Sequence, residues 1–397
     1  MVRRYCNMNG KVDSTGNVIG RSLTGISFPS ARVYMNRRKL FTPASNTKLY
    51  TSWFACKSLG EDATFHSEYS VVDGRLYFRP LGNPLLDESA MVEVVECCED
   101  TKIREIILET GHIRAPRYPG SWNFDDMGQA WGAPISDVCF HENALTATFD
   151  GLDAAPSKTT PASGIHSFSF SRSVREPQIH ERKIVLPTGF KGNFSFSILE
   201  PEDFLLHWIS DNLGGNGSRR KLRIGRFRGE PQIAAGRTLA QVLHRLNKVS
   251  SNVIAELLLL HAARLSGRDA STSEASELMR MSLAASGIND AWLFDGSGLS
   301  RGNLVSPAGT VKLLRMLANF PSVVSSLPVG GTDGTLKGRK LSSAIKAKTG
   351  SLGGVQTLSG YAGTEPFSIM VNHFPESEDA DDVVKDWIDG RVMSLVH

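Results

Sequence analysis

Several features that define other protein classes are missing from this sequence. The excess of positive charge is small, since the sequence has 44 Lys and Arg and 41 Asp and Glu, for a net charge of +3. Such a balance does not indicate nucleic-acid binding. The longest apolar stretch, NVIAELLLLHAARL, is interrupted by Glu256 and is too short to cross a bilayer. We therefore expect neither a nucleic-acid partner nor a transmembrane segment.

Cysteine and metal-binding patterns are also sparse. The cysteines are odd in number and two are adjacent: Cys6, Cys56, Cys97, Cys98 and Cys139. This usage favours reduced thiols over a disulfide framework. There is no C-x-x-C or H-E-x-x-H motif, and the ten histidines are scattered. We expect no metal and no other cofactor.

The pattern of apolar and turn-forming residues changes twice along the chain. Residues 67–199 contain short alternating segments punctuated by Gly and Pro, which predicts an inserted β-rich domain. Residues 1–66 and 200–397 contain the longer helical patterns and are assigned to one flanking domain. The final segments AIKAKTGSL, VQTLSGYAG and FSIMVNHF predict an antiparallel three-stranded meander.

One basic run, SRRKLRIGRFRGE, carries six Arg or Lys between Arg219 and Arg228. Its ordinary interpretation is a solvated strand and turn. The alternative is a docking patch for an anionic polymer.

The motif S-x-x-K occurs three times, at Ser45/Lys48, Ser218/Lys221 and Ser343/Lys346. On a helix this spacing places both side chains on one face. By itself, such a pair is either a helix cap beside a solvated lysine or an activated nucleophile.

The K-T-G motif and the surroundings of each serine help to choose among these three pairs. Serine penicillin-recognising enzymes carry S-x-x-K, then S-x-N, then K-T-G in chain order. K-T-G occurs once, at Lys348–Gly350. Ser343 lies on the same segment, too late in the chain, and Ser218 lies in the basic turn without an apolar helix behind it. Ser45 is therefore the candidate nucleophile.

The S-x-N motif has three matches, at Ser121–Asn123, Ser210–Asn212 and Ser250–Asn252. Ser210 falls at the tail of a helix, whereas Ser250 opens the most apolar helix in the chain. Because a buried helix holds its first residues rigidly, as a catalytic wall requires, we assign the motif to Ser250 and Asn252.

The segments PASNTKLYTS, LNKVSSNVIAELLL, DGSGLSRGNLVSP and KTGSLGG resemble the low-molecular-mass class C penicillin-binding proteins, the D-alanyl-D-alanine carboxypeptidase/endopeptidases. WNFDDMGQAWGAPIS and LGNPLLD resemble the same family. The matches extend from about Pro43 to Gly360 in the family's order. The resemblance implies an α/β (α+β) fold like that of serine β-lactamases and DD-peptidases. In it, helices flank an antiparallel sheet, and a mainly β domain is inserted between the first and second motifs.

The resemblance also implies roles for the motif residues. Ser45 is the acylating nucleophile, and Lys48 is its base, held neutral by burial and by a cationic neighbour such as Lys348. Ser250 relays a proton to the leaving group. Asn252 orients the substrate and Lys48.

The K-T-G strand forms the other side of the implied site. Thr349 binds the terminal carboxylate of the substrate, and Gly350 and Ser351 line the strand edge to which a peptide can add. The backbone N–H groups of Ser45 and Ser351 form the implied oxyanion hole.

Three further residues match family positions that bind a substrate's side-chain amino acid: Asp126, Trp131 and Arg301. The alternatives are a turn carboxylate, a packed aromatic ring and a surface guanidinium. The chain departs from some relatives after K-T-G, where it has Leu352 and Gly353 in place of a polar side chain. The preferred diamino acid therefore stays open.

The sequence leaves three functions in competition. The first is an active serine DD-peptidase that cleaves peptides ending in D-amino acids and is inhibited covalently by β-lactams. The second is a related hydrolase of other D-amino-acid peptides, amides, esters or β-lactams, and the third is a non-catalytic penicillin- or glycopeptide-binding module. The intact motifs count against the third, and the family resemblance favours the first.

Localisation and oligomeric state are not determined. The family resemblance implies an extracytoplasmic enzyme. However, MVRRYCNMNGKVDSTG shows no apolar signal-peptide region, and the cysteine usage suits a reducing compartment. The sequence gives no indication of oligomeric state.

Overall fold

The computed structural model describes residues 15–98, 101–153, 156, 158–160, 167–180, 183–213, 220–264 and 270–396. These residues form two compact units. The first comprises the described residues of Met1–Asp62 and Ala240–His397, together with Pro119–Trp122. The second comprises those of Ala63–Tyr118 and Asn123–Leu239.

The helices and strands are numbered in chain order. The helices are α1 (Thr15–Arg21), α2 (Thr47–Leu59), α3 (Glu88–Glu96), α4 (Pro201–Asn212), α5 (Leu239–Val249), α6 (Asn252–Arg264), α7 (Thr272–Ala285), α8 (Pro307–Leu317), α9 (Pro321–Ser326) and α10 (Glu378–Val396). The strands are β1 (Leu23–Phe28), β2 (Val33–Met35), β3 (Thr64–Val72), β4 (Arg75–Arg79), β5 (Glu105–Leu108), β6 (Ala144–Asp150), β7 (Lys158–Thr160), β8 (Ser167–Ser171), β9 (Gln178–His180), β10 (Lys183–Pro187), β11 (Lys191–Ser197), β12 (Lys221–Ile224), β13 (Gln232–Thr238), β14 (Ala291–Trp292), β15 (Leu304–Val305), β16 (Ile345–Leu352), β17 (Val355–Ala362) and β18 (Glu365–Asn372). Short 3-10 turns occupy Ala44–Asn46, Phe124–Asp126, His141–Asn143 and Gly334–Leu336.

The first unit is built on an antiparallel sheet of order β16-β17-β18-β1-β2. The predicted C-terminal meander is confirmed, and β1 from the start of the chain pairs with β18. Nearly every residue of β17 and β18 is buried, as expected for strands that helices cover on both faces. Residues of α1 and α10 contribute to the core on one face, and α8 packs against β1, β17 and β18. The predicted antiparallel sheet flanked by helices is thus present.

The second unit is mainly β. It contains a five-stranded sheet of order β12-β5-β4-β3-β13 and two three-stranded sheets, β8-β10-β9 and β11-β6-β7. Helices α3 and α4 pack against the five-stranded sheet. One hydrophobic core joins the sheets, with Phe78, Phe140 and Phe196 among its fully buried side chains.

The unit boundaries differ from the predicted 67–199. The elements α4, β12 and β13 belong to the second unit because β13 pairs with β3 and β12 pairs with β5. Pro119–Trp122 belongs instead to the first unit. That the two units fold as independent domains stays a prediction.

Part of the basic run lies on β12. There Lys221 and Arg223 contact the Glu105 carboxylate, with N–O distances of 3.7 and 2.7 Å, and Arg75 contacts it from β4 at 3.0 Å. Arg219 lies outside the described residues. These ion pairs fit the interpretation of the run as a solvated strand.

None of the described helices has the length and the apolar composition that crossing a membrane requires. Even the longest, α10, begins with Glu378, Asp379 and Asp381.

Candidate active site

Ser45 lies on the 3-10 turn that leads directly into α2. Its Oγ is 2.8 Å from Nζ of Lys48, in the first turn of that helix. The turn is closely enclosed by the loop that follows β14. Gly298 of this loop has a φ of +89°, and a Cβ at that position would overlap the carbonyl oxygen of Ala44. The packing therefore fixes Ser45 next to the amine.

Lys48 is completely buried, and its amine contacts three oxygens. Besides Ser45 Oγ, these are Asn252 Oδ1 at 2.6 Å and the carbonyl oxygen of Ser297 at 2.7 Å. The last two are acceptors only. A neutral amine has two protons to donate to them, and its lone pair then faces the hydroxyl of Ser45. This is the geometry in which Lys48 can accept the serine proton.

Burial lowers the pKa of Lys48 from 10.5 to about 7, against the opposing effect of the Asp295 and Glu256 carboxylates. Burial also lowers the pKa of Lys348 well below its ordinary value, and the charge of Lys48 lowers it further. Desolvation is thus the main cause of the low Lys48 pKa, whereas the lysine–lysine repulsion acts most clearly on Lys348.

The S-x-N residues connect the two lysines to α6. Ser250 occupies the turn between α5 and α6 with a φ of +62°, and its Oγ lies 2.8 Å from Lys348 Nζ. Asn252, the first residue of α6, contacts Lys48 instead. A non-glycine residue with positive φ is unusual and is found where the surroundings impose the conformation. The motif therefore supplies one polar side chain to each lysine.

Strand β16 runs beside the Ser45 turn. Asn46 Nδ2 donates to the Lys348 carbonyl oxygen at 2.9 Å. A Cβ on Gly350 would lie 2.6 Å from the Pro43 carbonyl oxygen and 3.0 Å from the Ser45 nitrogen, so only glycine allows this approach. Ser351 is exposed, and its Oγ accepts from Gln356 Nε2 at 2.7 Å.

Two buried carboxylates that the sequence interpretation missed hold the loop after β14. Glu256, on α6, accepts from the backbone N–H of Gly296 at 3.0 and 3.1 Å and from that of Ser297 at 2.8 Å. Burial, with a smaller contribution from Asp295, raises the pKa of Glu256 to about 8. By accepting hydrogen bonds from these amides, Glu256 orients the Ser297 carbonyl group toward Lys48.

Asp295 organises the rest of this loop. Its carboxylate accepts hydrogen bonds from the backbone of Gly298 and Ser300 and from the side chains of Asn303 and Trp122. The sequence contains a signal for each of these carboxylates. Glu256 is a charged residue inside the most apolar helix, and Asp295 begins the DGSGLS turn.

The candidate specificity residues lie in both units. In the second unit, Asp126 Oδ1 accepts from Trp131 Nε1 at 3.1 Å, and the Trp131 side chain is 52% exposed. The Asp126 Oδ2 atom is buried, with no hydrogen-bond partner among the described residues. In the first unit, exposed Arg301 donates to the Gly353 carbonyl oxygen at 3.0 Å. The structure thus pairs Asp126 with Trp131.

The structure describes two of the serines that were set aside, Ser210 and Ser343. Ser210 is on α4 of the second unit, where its carbonyl oxygen accepts from Arg220 Nη1 at 2.8 Å. Ser343 is exposed just before β16, and Ser218 lies outside the described residues. Across the parts of the chain that can be described, no cluster of three or more His, Cys, Asp or Glu could hold a metal ion.

Comparison with known proteins gives consistent matches. The sequence is 28% identical to a D-alanyl-D-alanine carboxypeptidase of Actinomadura sp. (strain R39), over 83% of this chain and 73% of that protein. It is 22% identical to a penicillin-sensitive carboxypeptidase A of Dictyostelium discoideum, over 82% of this chain and 75% of that protein. The fold is shared with the crystal structure of penicillin binding protein 4 from Haemophilus influenzae. There the TM-score is 0.75 and the identity 21%, over 95% of this chain and 98% of that one.

The profile of one protein family matches residues 14–392, nearly the whole sequence. The chain belongs to the D-Ala-D-Ala carboxypeptidase 3 (S13) family.

Proposed function

We propose that the protein is a serine-type D-Ala-D-Ala carboxypeptidase/endopeptidase that acts on peptidoglycan-like D-peptides through an acyl-enzyme on Ser45. The observation that carries the proposal is the 2.8 Å contact between Ser45 Oγ and the buried Lys48 amine. The other two contacts of that amine are both carbonyl acceptors. Family membership supports the choice of substrate.

In the proposed acylation, Lys48 takes the proton of Ser45 as Oγ attacks the carbonyl carbon of the penultimate D-alanine. The new bond is Oγ–C, and the C–N bond to the terminal residue breaks. Ser250, which contacts Lys348, passes a proton to the departing amine. Water then hydrolyses the ester and frees Ser45 for another cycle.

The strand edge is proposed to hold the peptide during this reaction. Thr349 donates to the terminal carboxylate, and the peptide lies along Gly350 and Ser351 as an added strand. The backbone N–H groups of Ser45 and Ser351 stabilise the oxyanion. The close approach of Gly350 to the Ser45 nitrogen supports this placement.

Covalent inhibition by β-lactams follows from the same chemistry, because the lactam amide presents a carbonyl to Ser45. Two relatives support this part. One is named a penicillin-sensitive carboxypeptidase. The other, an endopeptidase from Bdellovibrio bacteriovorus with a TM-score of 0.54 at 14% identity, has been crystallised acylated by penicillin G.

The first prediction concerns the nucleophile. Incubation with benzylpenicillin should add one drug mass to the peptide that contains Ser45, and Ser45→Ala should abolish this adduct. Intact-protein and peptide mass spectrometry measure both. An adduct on Ser218 or Ser343 would contradict the assignment, and the absence of any adduct on the folded protein would favour a binding module.

Substrate class needs a separate measurement. A panel of peptides ending in D-Ala-D-Ala, other D-amino-acid amides and D-amino-acid esters should be cleaved with the highest kcat/KM for D-Ala-D-Ala. A clear preference for one of the other classes would instead identify a related hydrolase.

The second prediction concerns pH. Since Lys48 must be neutral to act as base and its pKa is about 7, the rate constant of acylation should rise with pH through about 7. Below this value the rate should fall about tenfold per pH unit, and above it the rate should level off. Stopped-flow acylation by benzylpenicillin, whose carboxylate stays ionised in this range, measures the profile. A profile that keeps rising up to pH 10 would show that Lys48 titrates as an ordinary lysine. Lys48→Arg, which stays charged, should remove acylation at every pH.

The third prediction tests the choice of S-x-N motif. Ser250→Ala should lower the rate of D-Ala release by about 100-fold or more, since it removes the proposed proton relay. Ser210→Ala is the matched control and should change the rate little. If the two variants ranked the other way, the motif assignment would be wrong.

The fourth prediction concerns specificity. We propose that Asp126 recognises the ammonium group of a diamino-acid side chain, that Arg301 binds the carboxylate of that residue, and that Trp131 contacts its aliphatic part. The buried, unpartnered Asp126 Oδ2 supports an ionic role for this side chain. Asp126→Ala should reduce kcat/KM about tenfold for peptides with a free side-chain amine, since a charged hydrogen bond is lost. The same peptides acetylated on that amine should be unaffected, whereas equal losses on both sets would exclude the role.

A further inference from the structure

Thr335 lies outside every motif that was used to identify the site, yet its side chain reaches the K-T-G strand. Its Oγ1 is 2.9 Å from Oγ1 of Thr349. Both threonines are only half-buried, so that an extended ligand along β16 can approach them. Thr335 is the middle residue of the 3-10 turn Gly334–Leu336.

This turn is fixed from both sides. Before it, Asp333 forms an ion pair with Lys248, at 2.6 and 2.8 Å, and accepts from the Val329 backbone N–H at 2.8 Å. After it, Leu336 is fully buried in the core of the first unit. Gly334 has a φ of +53°, and a Cβ there would lie 2.8 Å from the Lys248 carbonyl oxygen. The position of the Thr335 hydroxyl is therefore set by its surroundings.

The hydrogen bond between the two threonines uses only one of their two hydroxyl protons. A hydroxyl carries one proton and can accept two hydrogen bonds. In the observed geometry Thr349 donates to Thr335, so the proton of Thr335 is available to a third group. If the direction reverses, the proton of Thr349 becomes available instead. An anion that replaces the bond within the pair can accept from both hydroxyls, so that loss of the Thr335 hydroxyl removes one of its two donors.

The groups around the pair do not exclude an anion as this acceptor. The carboxylate of Asp333, two residues before Thr335, is already paired with Lys248. On the other side, Lys348 directly precedes Thr349 in β16, and its amine lies 2.9 Å from the Thr349 carbonyl oxygen.

We propose that Thr335 and Thr349 together bind the terminal carboxylate of the substrate, and that Thr335 thereby contributes to the selection of peptides with a free C-terminus. This inference rests on the proposed function. It adds a second hydroxyl, from a separate turn, to the Thr349 contact.

The experiment compares two thioesters of one acylated D-alanine. In one, the leaving group is mercaptoacetate, which carries a carboxylate. In the other it is mercaptoacetamide, which has the same shape without the charge. Thioesters are reactive enough for turnover to be measurable without every binding contact. Steady-state release of the thiol gives kcat and KM for both.

Thr335→Val keeps the shape of the side chain and removes its hydroxyl. It should lower kcat/KM for the carboxylate thioester about tenfold or more, mainly through KM, since a hydrogen bond to a charged group is lost. It should leave the amide thioester within about twofold, because a neutral group gains less from this bond. Thr335→Ser should restore the preference for the carboxylate.

Thr332→Val is the matched control. Thr332 is three residues earlier, and its hydroxyl donates to the Gly330 carbonyl oxygen at 3.0 Å, within the same segment. This variant should leave the ratio of the two kcat/KM values unchanged.

Equal losses on both thioesters in Thr335→Val, or no loss on either, would overturn the role of Thr335. Failure of the proposed function looks different: the wild-type protein would then form no benzylpenicillin adduct on Ser45 and would hydrolyse neither thioester.

Discussion

The burial of the Lys48 amine is the constraint on which the rest of the site depends. An amine excluded from water is costly to charge, and it must also satisfy its own protons. Two carbonyl oxygens, from Asn252 and Ser297, accept those protons, which leaves the lone pair for Ser45. Each neighbour comes from a different element: the turn before α2, the start of α6 and the loop after β14. The fold of the first unit therefore brings together all the groups that surround the Lys48 amine.

The two buried lysines are not equivalent. Both lose basicity through burial, but Asp295 and Glu256 raise the pKa of Lys48, whereas the charge of Lys48 lowers that of Lys348. Because two enclosed like charges repel, the charged form of Lys48 disfavours protonation of Lys348. This asymmetry agrees with the proposal that Lys48 takes the proton of Ser45 and that Lys348 acts through Ser250.

The carboxylates that support Lys48 are themselves expensive to bury. Glu256 offsets part of this cost by accepting from two backbone amides, and Asp295 does so with backbone and side-chain donors. Replacing a buried ionic cluster by apolar side chains of the same volume is often neutral or stabilising, so this cluster is weak evidence for stability. The apolar residues of α6, from Val253 to Leu260, supply the packing that tolerates it.

How far the sequence could predict this structure depended on the range of the interactions. Chain order excludes Ser343 and the lack of an apolar helix excludes Ser218, which leaves Ser45 as the candidate nucleophile. The segments AIKAKTGSL, VQTLSGYAG and FSIMVNHF predict the meander, which the structure forms between Ile345 and Asn372. The segment Thr15–Arg21 is a helix although its Val and Ile favour strands locally, and its Val18 is buried in a core that includes residues of α10. The second unit's end was misplaced because β13 pairs with β3, far earlier in the chain. Glu256 was read only as an interruption of an apolar run, since its partners are backbone amides about forty residues away and no side-chain pattern records them. Local patterns therefore indicate the candidate catalytic and substrate-binding residues, whereas the groups that orient those residues are identified only in the folded chain.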